Sequence, residues 1–246
     1  MVSAVSSLRG PRFAAALLAS AFAVFLCWDT PFILPLKWLV VLCHELSHAI
    51  MGWLTGGRVL ALNVTHREGG ICLVAGGHQT LMLLAGYPGS LAWGLGAIFL
   101  ARTGRHIRPA LIFLGALLVI VALWWVRPLL GFGFPFALAT GALVAAAGWH
   151  GRPWLQSGIL LVFGTASCAY AFIDIQQDVF SGHARISDAT LLAEQTGLPF
   201  WFWGLFWYAL SLVILAVAVR RLWPAHRSLA TPMRAMRRGE SGNSGK

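Results

Sequence analysis

Acidic side chains are scarce in this chain of 246 residues: Asp and Glu together number 8, against 18 Lys and Arg, for a net charge of +10. Charged residues of both signs make up only 11%, where a soluble domain carries about 25%. That shortage excludes an ordinary water-exposed globular surface and leaves no stretch for a soluble domain of useful size. Cysteine is equally sparse. Cys27, Cys43, Cys72 and Cys168 form no C-x-x-C pair, which argues against a thiolate metal site or a disulfide framework and leaves them as small buried hydrophobes. There is no coiled-coil heptad and no internal repeat, and the lack of a repeat ranks a transporter reading low. The basic residues follow a hydrophobic span and lack a recognition fold, so nucleic acid is not an expected partner.

Apolar sequence is what the chain has in abundance. Hydrophobic residues make up 58%, and mean hydropathy is +0.74. A membrane span needs roughly 20 apolar residues, and seven stretches meet or approach that length: Phe13–Trp28, Leu36–Leu54, Thr80–Ala101, Ile107–Val126, Leu129–Trp149, Leu155–Asp174 and Phe200–Leu222. The expected fold is an all-α integral membrane protein of about seven transmembrane helices. The count becomes six if the first stretch is a cleaved signal. Arg9 and Arg12 precede it and Ala21-Phe22-Ala23 resembles a cleavage site, but the apolar run continues through Val24-Phe25-Leu26, which favours a retained helix. Residues 1–225 read as one polytopic domain. Residues 226–246 read as a basic tail, expected to be disordered and to touch anionic lipid.

One motif interrupts the apolar pattern. His44-Glu45-Leu46-Ser47-His48 is an H-E-x-x-H sequence inside the second apolar helix. Imidazoles four residues apart share a helical face and can grip one zinc ion, and the glutamate after the first can serve as a base toward activated water. Ionisable groups at membrane depth are costly, about 2.5–3.5 kcal/mol each on insertion scales, so they are rarely retained without a purpose. A catalytic zinc needs a third protein ligand from elsewhere. Asp29 precedes the metal helix, Glu68 lies in a turn and Glu240 in the tail. By chemistry alone Asp174, Asp178 and Asp188 remain as equal candidates, although an aspartate in the position of Asp188 can also serve as a helix N-cap. His66, His78 and His183 read as solvated loop residues.

Two polar regions flank the apolar spans. Val59–Val64 and Ile71–Val74 are strand candidates joined by turn-forming His66-Arg67-Glu68-Gly69-Gly70, which predicts a short β-hairpin at the membrane surface after the metal helix. An unpaired hairpin edge could add an extended peptide as a further strand. The second region, Ile175 to Pro199, contains a short helix over Ala189–Gln195. With seven alternating spans the hairpin and this region share one face, near the His44/His48 end of the metal helix. Counting Lys and Arg by side prefers the tail inside and the hairpin outside; a six-span path would put both inside.

Taken together, His44-Glu45-Leu46-Ser47-His48-Ala49, then Leu54-Thr55-Gly56-Gly57-Arg58-Val59, then Gly86-Tyr87-Pro88-Gly89-Ser90 resemble the site-2 protease family of intramembrane zinc metallopeptidases, and its compact bacterial branch in particular. The run Ser187-Asp188-Ala189, Leu192-Ala193, Thr196-Gly197, Pro199 and Trp203 resembles that branch's second characteristic region. The resemblance implies zinc held by His44, His48 and Asp188, with Glu45 as the catalytic glutamate. It implies cleavage of peptide bonds in or near unwound transmembrane segments of membrane-protein substrates, in a bacterial cell membrane. The aspartate does not sit in an Asn-Pro-Asp-Gly or Leu-Asp-Gly motif, and no PDZ domain is present, so substrate selection falls to the spans and the hairpin. The competing expectation is a catalytically inactive metal-binding scaffold.

Overall fold

The computed structural model describes residues 11–180 and 187–222. They form α1 (Pro11–Cys27), a 3-10 turn (Pro31–Ile33), α2 (Leu34–Leu54), β1 (Arg58–Val64), β2 (Gly70–Ala75), α3 (Gln79–Leu84), α4 (Gly86–Thr103), α5 (Ile107–Trp125), α6 (Gly133–His150), α7 (Pro153–Phe180), α8 (Asp188–Thr196) and α9 (Phe200–Leu222). The protein is mostly helical with one two-stranded antiparallel sheet. Among the described residues, four segments are long and apolar enough to cross a membrane: Pro31–Leu54, Ile107–Trp125, Pro153–Gln177 and Phe200–Arg221. The expectation of seven such spans is met only this far. α1 is shorter, while α4 and α6 devote much of their length to Gly, Ala and Pro, residues that let backbones approach but add little hydropathy.

The core is built around α2. From Leu39 to Ala49 every residue of that helix is buried, because helices close on it from one side and the hairpin from the other. α4 and α7 form the helical wall: Ser167 of α7 donates from Oγ to the Ser90 carbonyl of α4 at 2.8 Å. α1 packs on α7, with the Ser20 and Thr165 hydroxyls 2.9 Å apart.

The hairpin follows α2 directly, as expected, and folds back along the helix. Val74 packs on Gly52 near the C-terminal end, Gly70 lies on Glu45 in the middle, and the Glu68 carboxylate meets the Lys37 ammonium at 3.1 Å near the N-terminal end. The Trp38 indole also donates to the His66 carbonyl at 3.3 Å. The physical reason is the pattern in β1, whose Val59, Leu62 and Val64 are buried. An apolar strand face must be covered, and the nearest apolar surface is the helix that precedes it. The sixth apolar stretch also runs longer than expected, as α7 continues to Phe180 beyond Asp174.

The expected third span is split. α3 ends at Leu84 and α4 begins at Gly86. Pro88 has no N–H to offer the carbonyl of Leu84, four residues back, so the ladder is weakened where the two segments meet. This break brings the backbone of residues 82–90 against the face of α2 that carries the histidines.

Candidate metal centre

His44 and His48 lie one turn apart on the buried face of α2, with rings 4.8 Å apart and steeply inclined. Each ring has one nitrogen anchored. His48 Nδ1 lies 2.7 Å from the Met82 carbonyl at the end of α3. A carbonyl can only accept, so that nitrogen carries the proton and Nε2 faces inward as a lone pair. His44 Nδ1 lies 3.1 Å from the Ser90 hydroxyl. The inward Nε2 atoms of His44 and His48 are 3.3 and 3.2 Å from the same oxygen, Oδ2 of Asp188.

Asp188 reaches the histidines because another residue does the capping. Ser187, not Asp188, is the N-cap of α8: it forms a reciprocal capping box with Thr190. Asp188 is the first helical residue, and its carboxylate is released toward α2. The partly buried carboxylate faces both imidazoles.

These three residues fit a divalent metal. One donor atom from each of His44, His48 and Asp188 lies within 4.8 Å of the others. Zinc bonds of about 2.0–2.2 Å in a tetrahedron put neighbouring donors about 3.3 Å apart, which is the spacing seen from Asp188 to each histidine. The space between them is kept open by Gly86. A Cβ there would stand 2.5 Å from His44 Cε1 and 2.7 Å from His48 Cε1, so any larger residue would fill the cradle. A convergent N, N, O donor set without a resident positive charge calls for a cation.

Glu45, expected as the base, projects beside this cluster and is buried. Its carboxylate lies against Gly70 so closely that a Cβ at that position would overlap it. Among the other expected candidates, Asp174 lies in α7 outside the three-residue cluster. The Asp178 side chain, His183 and Glu240 lie outside the described residues. His78 caps α3 by accepting from the Leu81 amide, and Glu68 pairs with Lys37. Ser90, the Met82 carbonyl, Gly86 and Gly70 were not legible as parts of the centre. Gly86-Tyr87-Pro88-Gly89-Ser90 entered only through the family resemblance.

A wall of aromatic rings closes the centre. Tyr87 packs edge-on against His44 with ring centres 5.1 Å apart, and Trp207 of α9 packs against Tyr87 at 4.7 Å. Both are buried, as are Leu83, Ile175, Ala189 and Leu192 around them. This cluster ties α8 to α3, α4 and α9, and so holds Asp188 over α2.

No curated protein and no solved structure matches the chain. Residues 17–218 match the model of the family described as Peptidase M50B-like. That match covers α2, the hairpin, α8 and all of the residues just described. The chain belongs to the Peptidase M50B-like family, a site-2 protease family of membrane metalloproteases.

Proposed function

We propose that this protein is an intramembrane zinc metalloprotease that hydrolyses peptide bonds within or near transmembrane segments of membrane-protein substrates. The observation that carries this reading is the convergence of His44 Nε2, His48 Nε2 and Asp188 Oδ2 on one buried point, with Glu45 beside it on the same helix. His44, His48 and Asp188 would hold the metal. When bound, zinc supplies Lewis acidity, acidifying water and polarising a peptide carbonyl. The Glu45 carboxylate takes the proton from the attacking water and gives it to the departing amine nitrogen. The aromatic and aliphatic wall around Tyr87 keeps bulk water from the reacting bond.

The hairpin supplies a binding element for the substrate. β2 is paired to β1 along one edge, and its other edge has no strand partner among the described residues. A substrate helix hides its peptide bonds in internal hydrogen bonds and must unwind before attack. An unwound segment added to β2 would regain backbone hydrogen bonds there, and Gly70 at the start of β2 would deliver it beside Glu45.

The protein is proposed as a multi-pass protein of a bacterial cell membrane. Its arginines suggest an orientation. Arg102 lies over Phe13, next to Arg12, and Arg108 lies over Trp149. Gln156 joins the start of α7 to the end of α6. That end of the bundle gathers Arg12, Arg102, Arg105, Arg108 and Arg152, with Arg220 and Arg221 at the end of α9, and carries no acidic residue among the described residues there. Short basic loops stay in the cytoplasm, so the arginine end and the tail face inward.

Glu45→Gln tests the reading. The variant should retain zinc and lose cleavage of a helical membrane substrate by about 10²–10⁴-fold. Undiminished cleavage would refute the assigned base. A wild-type protein that binds zinc but cuts no membrane substrate would mark a scaffold instead of a protease.

A further inference from the structure

His44 and His48 are held by different kinds of partner. His48 donates from Nδ1 to a main-chain carbonyl, that of Met82, which every residue type would provide. His44 Nδ1 instead meets a side chain, the hydroxyl of Ser90, at 3.1 Å. Three rings surround His44 edge-on: Tyr87, His48 and Tyr170, with centres 5.1, 4.8 and 6.4 Å away. Rings confine the plane of an imidazole but do not choose which nitrogen carries the proton. A hydrogen bond to one nitrogen does.

Ser90 is itself rigidly placed. It is fully buried, in the first turns of α4, and its carbonyl accepts the Ser167 hydroxyl of α7 at 2.8 Å. The path Ser167–Ser90–His44 is a polar line from α7 through α4 to α2 in an otherwise apolar interior. Hydroxyl groups in such surroundings make few alternative contacts, so the geometry is strongly determined.

We propose that Ser90 is a positioning residue for the metal centre: its hydroxyl accepts the Nδ1 proton of His44 and so commits Nε2 to the metal, with Ser167 holding Ser90 in register. This deepens the reading of the centre as a zinc site and rests on it. Ser90 touches neither substrate nor metal. Its effect is on how tightly and in what geometry the metal is held.

The test uses the full chain in detergent and the metal alone. Ser90→Ala keeps a strong helix former in α4 and removes only the acceptor. Zinc affinity measured by chelator competition should fall about 10–100-fold, and the ligand-field bands of the Co(II)-loaded protein should shift. Ser90→Thr, which retains the oxygen, should restore both to near wild type. Ser167→Ala removes a hydroxyl from the same line without touching His44 and should lower affinity less than Ser90→Ala. In ¹⁵N-histidine-labelled protein, the His44 Nδ1–H signature should be present in wild type and altered in Ser90→Ala. Wild-type affinity and an unchanged cobalt spectrum in Ser90→Ala would overturn the role of Ser90 while leaving the zinc site standing. An equal loss in Ser167→Ala would also overturn it, because the effect would then be one of packing. A wild-type chain that takes up neither zinc nor Co(II) would overturn the zinc reading and this inference with it.

Discussion

Gly86→Ala offers the sharpest perturbation of the centre, because one methyl group is added where the His44 and His48 rings meet. The new carbon would stand 2.5 Å from His44 Cε1 and 2.7 Å from His48 Cε1. Comfortable carbon–carbon contacts are about 3.5–4.0 Å, so the rings or the α4 backbone must yield by about 1 Å. Metal sites tolerate deviations of about 0.2 Å in ligand distance. The required movement is several times that tolerance, and it falls on two of the three donors together. The expected loss of zinc affinity is at least that of removing a supporting hydrogen bond, about 10–100-fold. Folding of the metal-free protein should lose only the overpacking cost, about 1–3 kcal/mol. Chelator competition on purified protein reads the affinity, and thermal unfolding of the metal-free protein reads the fold. A Gly86→Ala protein that holds zinc as tightly as wild type would refute the placement of the metal between these rings.

Other expectations follow from the same geometry. Asp188→Ala should abolish stoichiometric zinc uptake, whereas Asp174→Ala should leave it intact because that residue lies outside the cluster; metal analysis of the two variants side by side decides the third ligand, and an unchanged metal content in Asp188→Ala would remove it from the site. Gly70→Ala places a carbon 2.6 Å from Glu45 Cγ, and its nearest neighbours there are all Glu45 atoms, so cleavage should be lost while zinc is retained; equal loss of both would show that the hairpin acts on the metal site as a whole. A phosphatase fused after residue 246 should remain inactive in cells, and a fluorescent protein fused there should fluoresce; an active phosphatase would reverse the orientation drawn from the arginine end.

The amino-acid sequence alone set the class and half of the centre. The apolar runs and the shortage of charge made a helical membrane protein the expectation, and His44 and His48 were placed on one face by the period of the helix itself. Local turn chemistry was equally legible: the two strands either side of Glu68 and Gly69 appear within a residue or so of where they were expected. The third member of the cluster lies 140 residues further along the chain. Chemistry left Asp174, Asp178 and Asp188 equal, and only the resemblance to a family favoured Asp188. What the tertiary structure decided was that Ser187 takes the cap and frees that carboxylate. It also decided that the hairpin folds back along α2, since an apolar strand face seeks whatever helix lies beside it. It further decided that Ser90, Met82 and Gly86 meet the histidines through the break between α3 and α4. Periodicity and propensity act over one or two turns and are written locally. The meeting of α2, α4 and α8 depends on how several apolar faces pack together, and no short stretch of sequence contains that information.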